Sequence, residues 1–181
     1  MKKLLLATVA MLASLTAGAQ LYVGGSFGLN RNTTENTTVF NVEPEIGYNF
    51  NGQWAFGATI GYAYNYTDGL KTNVFEIQPY ARWNYFSCVD DRLKLFVDGG
   101  FGLGFGKSKL KDSSSDTVVL FNIGFKPGVS FALNEHFSLV THFGFLGYEG
   151  GNDAAKDANF PEKFGLDLTG LNLTFGFYYT F

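Results

Sequence analysis

A single cysteine, Cys88, in 181 residues excludes an internal disulfide and any metal site built from several thiolates. A partly buried free thiol is expected there. Prolines number only 4, and charged residues make up 16% of the chain, against about 25% in an ordinary soluble domain. After residue 20 there is no run of about 18 apolar residues, and apolar side chains never hold a three-to-four spacing for long. Neither a membrane-spanning helix nor an amphipathic one is therefore expected. A strongly basic surface is missing too. Without Lys2 and Lys3 the chain keeps 11 basic and 16 acidic residues, a net charge of −5, which leaves nothing to hold nucleic acid through its phosphates.

Aromatic residues are abundant, with 20 Phe and 10 Tyr, and there are 23 Gly. The first residues, Met1-Lys2-Lys3, then Leu4 to Ala17 and Ala17-Gly18-Ala19, have a basic start, an apolar run and a small-x-small cleavage pattern. They read as a secretory signal peptide over residues 1–19, cut after Ala19. The run is shorter than the roughly 20 residues an anchor needs, and no cysteine follows the cut as a lipoprotein would require. Residues 20–181 remain as one domain.

In the last stretch, Leu171, Leu173, Phe175, Phe177, Tyr179 and Phe181 alternate with Gly170, Asn172, Thr174, Gly176, Tyr178 and Thr180. A period of two, large apolar against small or polar, specifies a β-strand with two differently solvated faces. Strands are predicted at 21–30, 39–50, 53–66, 73–87, 92–107, 118–133, 137–148 and 168–181. The connections at 51–53, 87–91 and 134–136 are short, and those at 31–38, 67–72, 108–117 and 149–167 are long. Parity makes the short turns odd in length, with Gly52 expected in the left-handed conformation of a three-residue hairpin.

Charge placement decides the solvent of the outer face. Glu43, Glu45, Glu76, Arg82, Lys94, Asp98, Lys126 and His142 all take the parity opposite to the large hydrophobes. In a soluble sandwich these charges would lie on the outside. On a lipid-facing strand a mid-plane Lys or Arg costs about 2–4 kcal/mol. The fold class is accordingly all-β: an eight-stranded antiparallel up-and-down transmembrane β-barrel, closed because a bilayer tolerates no open sheet edge. Both termini then lie at the short-turn end.

Eight staves leave an interior just wide enough for side chains to fill. Counting from the turns brings Glu43, Glu45, Arg82, Asp98, Lys126 and His142 to similar heights, with Arg82 opposite or diagonal to Asp98. The layer reads as a polar plug of paired charges, or as a gate whose pairs rearrange to pass ions. Gly100, Gly102, Gly104 and Gly106 either leave space beside these charges or make room for Tyr80 and Arg82. Pro44, Pro79 and Pro127 fall at outward mid-strand positions, each removing a ladder donor, and local bulges are expected there.

These strands, with Glu45-Ile46-Gly47-Tyr48-Asn49-Phe50, Lys126-Pro127-Gly128-Val129-Ser130-Phe131 and the ending Thr174-x-Gly176-x-x-Tyr179-x-Phe181, resemble the small outer-membrane β-barrel domains of the OmpA/OmpX-like, "porin family" type. The resemblance covers residues 20–181. It implies a Gram-negative outer membrane, periplasmic termini and extracellular long loops. It makes Thr174, Gly176, Tyr179 and Phe181 a signal read by the barrel-assembly machinery. Outer-membrane lipid and lipopolysaccharide are the implied partners; no nucleic acid, cofactor or metal is, and the chain reads as a monomer. Lys107, Lys109 and Lys111 form a basic group at the loop rim, read as a lipopolysaccharide contact or as a solvated edge.

Catalytic motifs fail. Gly106-Lys107-Ser108 lacks the earlier glycine of a phosphate loop, since position 101 is Phe101. His136-x-Ser138 is similar to the pair of an outer-membrane lipid A deacylase, a lipid A-modifying enzyme, but His136 falls in a predicted periplasmic turn, away from the outer leaflet. An envelope or adhesion scaffold leads, a narrow porin-like channel follows, and no enzyme is expected.

Overall fold

Backbone order in this chain is carried by strands, as the period of two demands. The computed structural model describes residues 20–32, 36–67, 69–109, 116–157, 160, 162–167 and 174–181. The signal peptide expected over residues 1–19 lies outside them. The elements are β1 (Gln20–Asn32), β2 (Thr37–Asn49), β3 (Trp54–Thr67), β4 (Leu70–Cys88), β5 (Leu93–Lys109), β6 (Asp116–Ala132), β7 (Phe137–His142), β8 (Phe145–Gly151), α1 (Asp153–Asp157), β9 (Lys163–Asp167) and β10 (Thr174–Thr180). Every pairing is antiparallel. The sheet runs from β1 through β6, β6 pairs with β7 and β8, β8 with β9, β7 with β10, and β10 with β1. β7 and β8 are halves of one stave, and β9 and β10 of another, so the wall is a closed eight-stave barrel.

The hydrophobic parity faces out along the wall. Phe56, Ile60, Phe75, Ile77, Phe101, Leu103, Phe105, Ile123, Phe125, Phe175 and Phe177 are all exposed. Glu43, Glu45, Glu76, Arg82, Lys94, Asp98, Lys126 and His142 face in between them.

Several boundaries differ from the sequence reading. The strands run further at the loop end: β2 begins at Thr37, β4 at Leu70, and β5 reaches Lys109. There the outward positions turn polar (Lys71, Asn73, Lys107, Lys109), so the hydrophobic alternation fades while the hydrogen-bonded ladder continues. The long connection expected at 149–167 is mostly structured, with β8 ending at Gly151, the five-residue helix α1, and β9 pairing with β8. Five residues are too few for a helical period to show.

The short turns are built by asparagine, and Gly52 is not left-handed. Asn51 Oδ1 accepts from the backbone N–H groups of Gln53 (2.9 Å) and Trp54 (2.8 Å). Asn134 Oδ1 accepts from His136 (2.9 Å) and Phe137 (2.8 Å) in the same way. A side-chain oxygen thus does what a left-handed glycine was expected to do. In the β4–β5 turn Val89, Asp90 and Asp91 instead take positive φ in succession. That turn spans four residues, not an odd number, and a register shift between Asn84 and Phe86 supplies the odd residue.

Of the three prolines, only Pro127 sits beside a bulge. The ladders pass Pro44 and Pro79 without a change of register. Near Pro127 the break lies in the neighbouring stave, where Phe143 and Gly144 separate β7 from β8. Gly144 there has φ 86°, a conformation glycine adopts without the usual steric cost. Phe143 N–H still donates to Pro127 O at 3.0 Å.

Candidate functional site

Arg82 on β4 and Asp98 on β5 are direct cross-strand partners on the inner face. Arg82 Nε donates to Asp98 Oδ1 and Nη2 to Oδ2, both at 2.7 Å, the bidentate geometry of the strongest charge-assisted pairs. Nη2 also donates to Tyr178 Oη at 3.0 Å and lies 3.5 Å from Glu45 Oε1. Tyr178 donates in turn to Glu45, at 2.8 Å to the nearer oxygen, and Tyr80 donates to the same carboxylate. With its one proton committed to Glu45, Tyr80 accepts from Tyr22. His142 Nε2 is 2.9 Å from Asp98 Oδ2. A carboxylate paired with arginine only accepts, so Nε2 carries the proton and Nδ1 faces Thr174 Oγ1 at 3.5 Å. The guanidinium carbon lies 4.0 Å from the centre of the fully buried Phe96 ring, within reach of the ring's negative face.

Arg82 and Asp98 are each only 5% exposed. Buried charges survive when paired and fully hydrogen-bonded, and this layer meets both conditions. It forms a septum. A cavity of about 210 Å³ on its loop side is lined by Glu45, Tyr80 and Asp98. A second, of about 540 Å³ on its turn side, is lined by Tyr22, Arg82 and Phe96, and Tyr178 borders both.

The single polar layer expected from residue counting is in fact two tiers. Above the septum, Glu76 accepts from Asn122 Nδ2 (2.6 Å), Gln78 Nε2 donates to Asn122 Oδ1 (2.8 Å), Lys126 Nζ donates to Gln78 Oε1 (2.6 Å), and Ser26 Oγ donates to Glu43 (3.3 Å). Glu43, Glu76 and Lys126 belong to this tier, and Lys94 stands apart on the wall of the turn-side cavity. Strands in a barrel tilt, so equal counts from a turn are not equal heights. Neither Tyr22, Tyr178, Phe96, Gln78 nor Asn122 was singled out from the sequence. Their inward parity was the available signal. The β5 glycines make room for neighbours: a Cβ on Gly102 would collide with Glu76 and Asn122, and one on Gly104 would lie 3.1 Å from Val74.

A hydrophobic cluster lies toward the loop end. Ala155 of α1 packs with Val74 and Val118, joined by Leu70, Leu120, Ala154 and Phe160. Asn152 fastens this segment to β6, accepting at Oδ1 from Val119 N–H (3.1 Å) and donating from Nδ2 to Thr117 O (2.8 Å). Lys156 bridges Glu162 at 3.2 Å, and Lys163 bridges Glu149 at 3.2 Å. Glu162 and Asp153 hold the Lys156 ammonium above its ordinary pKa.

At the turn end, His136 Nδ1 donates to Thr180 O at 2.8 Å and its ring stacks on Tyr179, centroids 5.4 Å apart. Tyr179 also meets Phe137 and Phe181 edge-on, both at 5.1 Å. His136 thus clasps the last strand; none of the described contacts joins it to Ser138. His136→Ala is expected to lower barrel stability by about 1 kcal/mol. The change should appear as a lower temperature for loss of the unboiled gel band, with host lipid A acylation unchanged. Among the described residues no group of three His, Cys, Asp or Glu side chains is placed to hold a metal ion. Cys88 is a free, half-buried thiol.

Of the predicted rim lysines, Lys107 and Lys109 sit on the outer face of β5, and Lys111 lies outside the described residues.

A family model of the outer membrane protein β-barrel domain matches residues 4–181. Among solved structures, the N-terminal β-barrel domain of Pseudomonas aeruginosa OprF is similar with a TM-score of 0.55 at 13% identity, covering 91% of this chain and 98% of that one. Neisserial surface protein A, NspA, gives 0.51 at 13% identity, covering 91% and 94%. At these identities the likeness is one of fold. No curated protein matches the sequence.

Proposed function

Since the chain belongs to the outer membrane protein β-barrel domain family, we propose that it is a non-enzymatic, sealed barrel that anchors its longer loops at the cell surface, for envelope integrity or adhesion. In this reading residues 1–19 direct export and are removed, both termini are periplasmic, and the barrel works as a monomer. Thr174, Gly176, Tyr179 and Phe181 form the segment that the assembly machinery reads. One observation carries the proposal: the Arg82 septum lies across the interior with its charges buried and paired. The packed cluster of Ala155, Val74 and Val118 toward the loop end supports the same reading.

Planar-bilayer recordings of the purified barrel should show no large, steady conductance; a stable open level of that kind would overturn the sealed reading. A narrow gated channel is the second reading. It is favoured by the position of Arg82 between two carboxylates, Asp98 at 2.7 Å and Glu45 at 3.5 Å, so the guanidinium has an alternative partner. It predicts small, flickering currents that change in Arg82→Ala, and currents indifferent to that substitution would remove it. Acyl-ester chemistry at His136 has no support, because its ring is committed to Thr180 and Tyr179.

A further inference from the structure

The septum divides two cavities of opposite character. Its loop side holds the acids Glu43, Glu45, Glu76, Asp98 and Glu149. Its turn side holds the cations Arg82, Arg92 and Lys94, and the acidic side chains there, Asp91 and Glu135, are exposed in the turns at its mouth. Arg82 lines only the turn-side cavity and Asp98 only the loop-side one. The bonds of the guanidinium to Asp98 and Tyr178, and its approach to Glu45, all run through Nε and Nη2. Nε and Nη2 share one edge of the planar fork, so Nη1 lies on the other, toward the turn-side cavity. A cation only 5% exposed thus presents one edge to that space. The guanidinium carbon is 4.0 Å from the Phe96 ring centre. Lys94 is the next inward residue on β5, about 7 Å along the strand, so both cations face one region. Lys94 makes no ion pair among the described residues. Its side chain, its cross-strand partner Ser130, and Asn49, Asn84 and Ser138 make no side-chain hydrogen bond there either. Above the septum, by contrast, Glu76, Gln78, Asn122 and Lys126 satisfy one another.

We propose that the turn-side cavity is a binding cup for a small hydroxylated oxyanion, a sugar acid or a sugar phosphate, with the septum as its floor. The anionic group lies between Arg82 Nη1 and Lys94, since carboxylate and phosphate both match a guanidinium edge. The sugar hydroxyls meet Asn49, Asn84, Ser130 and Ser138, whose amides and hydroxyls can each donate and accept. The volume of about 540 Å³ falls within the range of about 300–1,000 Å³ usual for small-molecule sites. The floor rests on the sealed reading, and the two fail separately: conductance tests the septum, and binding tests the cup.

Folded barrel in detergent micelles is titrated calorimetrically with glucose 6-phosphate, glucuronate, glucose and inorganic phosphate. Both sugar anions should bind, and the tighter of the two tells phosphate from carboxylate. Glucose, lacking the charge, and inorganic phosphate, lacking the hydroxyls, should each bind about tenfold more weakly or less. Lys94→Gln should weaken both sugar anions about tenfold and leave glucose unchanged. Lys71→Gln, which removes a cation at the loop end, should bind like the parent. The comparison of ligands on the unaltered protein tests the cup even where Lys94→Gln fails to fold. Glucose as tight as the sugar anions, inorganic phosphate as tight as glucose 6-phosphate, parental binding by Lys94→Gln, or no binding of either sugar anion at millimolar concentration would each overturn the assignment.

Discussion

Arg82→Ala is expected to cost the barrel about 3–5 kcal/mol, because it leaves Asp98 and Glu45 as buried carboxylates without their cation. Arg82 makes two 2.7 Å bonds to Asp98, one 3.0 Å bond to Tyr178, and a ring contact with Phe96. Lysine replaces none of this fork, having one flexible point charge, so Arg82→Lys should recover only part of the loss. Substituting both partners, Arg82→Met with Asp98→Leu, should recover more than lysine does, since well-packed apolar groups often match a buried ion pair. Urea unfolding of each variant in lipid vesicles, followed by the fluorescence of Trp54 and Trp83, provides the measurement. A loss below about 1 kcal/mol for Arg82→Ala would mean that the layer is hydrated and adaptable, not a closed septum.

The seam between β1 and β10 should be equally intolerant. Gly176 pairs with Ser26, and a Cβ there would overlap the carbonyl oxygen of Gly25. Overpacking costs about 1–3 kcal/mol even where side chains yield, and here the obstacle is backbone. Gly176→Val should therefore leave most of the protein unassembled, both in cells and on refolding into vesicles. Deletion of Phe181 should behave differently. Its ring is 64% exposed and its N–H donates to Leu21 O at 3.0 Å, so little of the barrel depends on it. The truncated chain should refold in vesicles and fail in cells, where a machinery must read the ending. The shift between boiled and unboiled protein on a gel separates the two, and efficient cellular assembly of the truncated chain would dismiss Phe181 as part of the signal.

How much of this was legible beforehand depends on which force writes into the sequence. Lipid writes a period of two, so the staves and the inward parity of Glu45, Arg82 and Asp98 could be read directly. The Arg82–Asp98 pair was also legible, although its register rests on a four-residue turn and the irregularity between Asn84 and Phe86, where an odd turn was expected. What stayed hidden depends on three-dimensional offset. Stave tilt divides Lys126 from Arg82, although Asp98 is the ladder partner of both, and no residue count carries it. Tyr22, Tyr80 and Tyr178 take inward positions in a chain whose other aromatics mostly face lipid, so their hydroxyls were hard to assign to the septum. At the rim, Lys71 and Lys109 stand where the outward hydrophobicity of their strands has ended, and the sequence there looks like loop.

Tyr178 has a consequence for the order of events. It reaches Arg82 across 96 residues and Glu45 across 133, whereas most staves pair with their chain neighbours. Closing the longest loop is the slowest kind of contact, so these bonds form when the last strand docks. Until then the interior is open to water and its charges are solvated. Docking expels that water, and only the correct alignment delivers the Tyr178 hydroxyl. A slip of one residue would turn it to lipid and bring Phe177 inside, stranding Glu45 with a bond unmade. The septum thus favours the aligned closure of the barrel over one slipped by a residue.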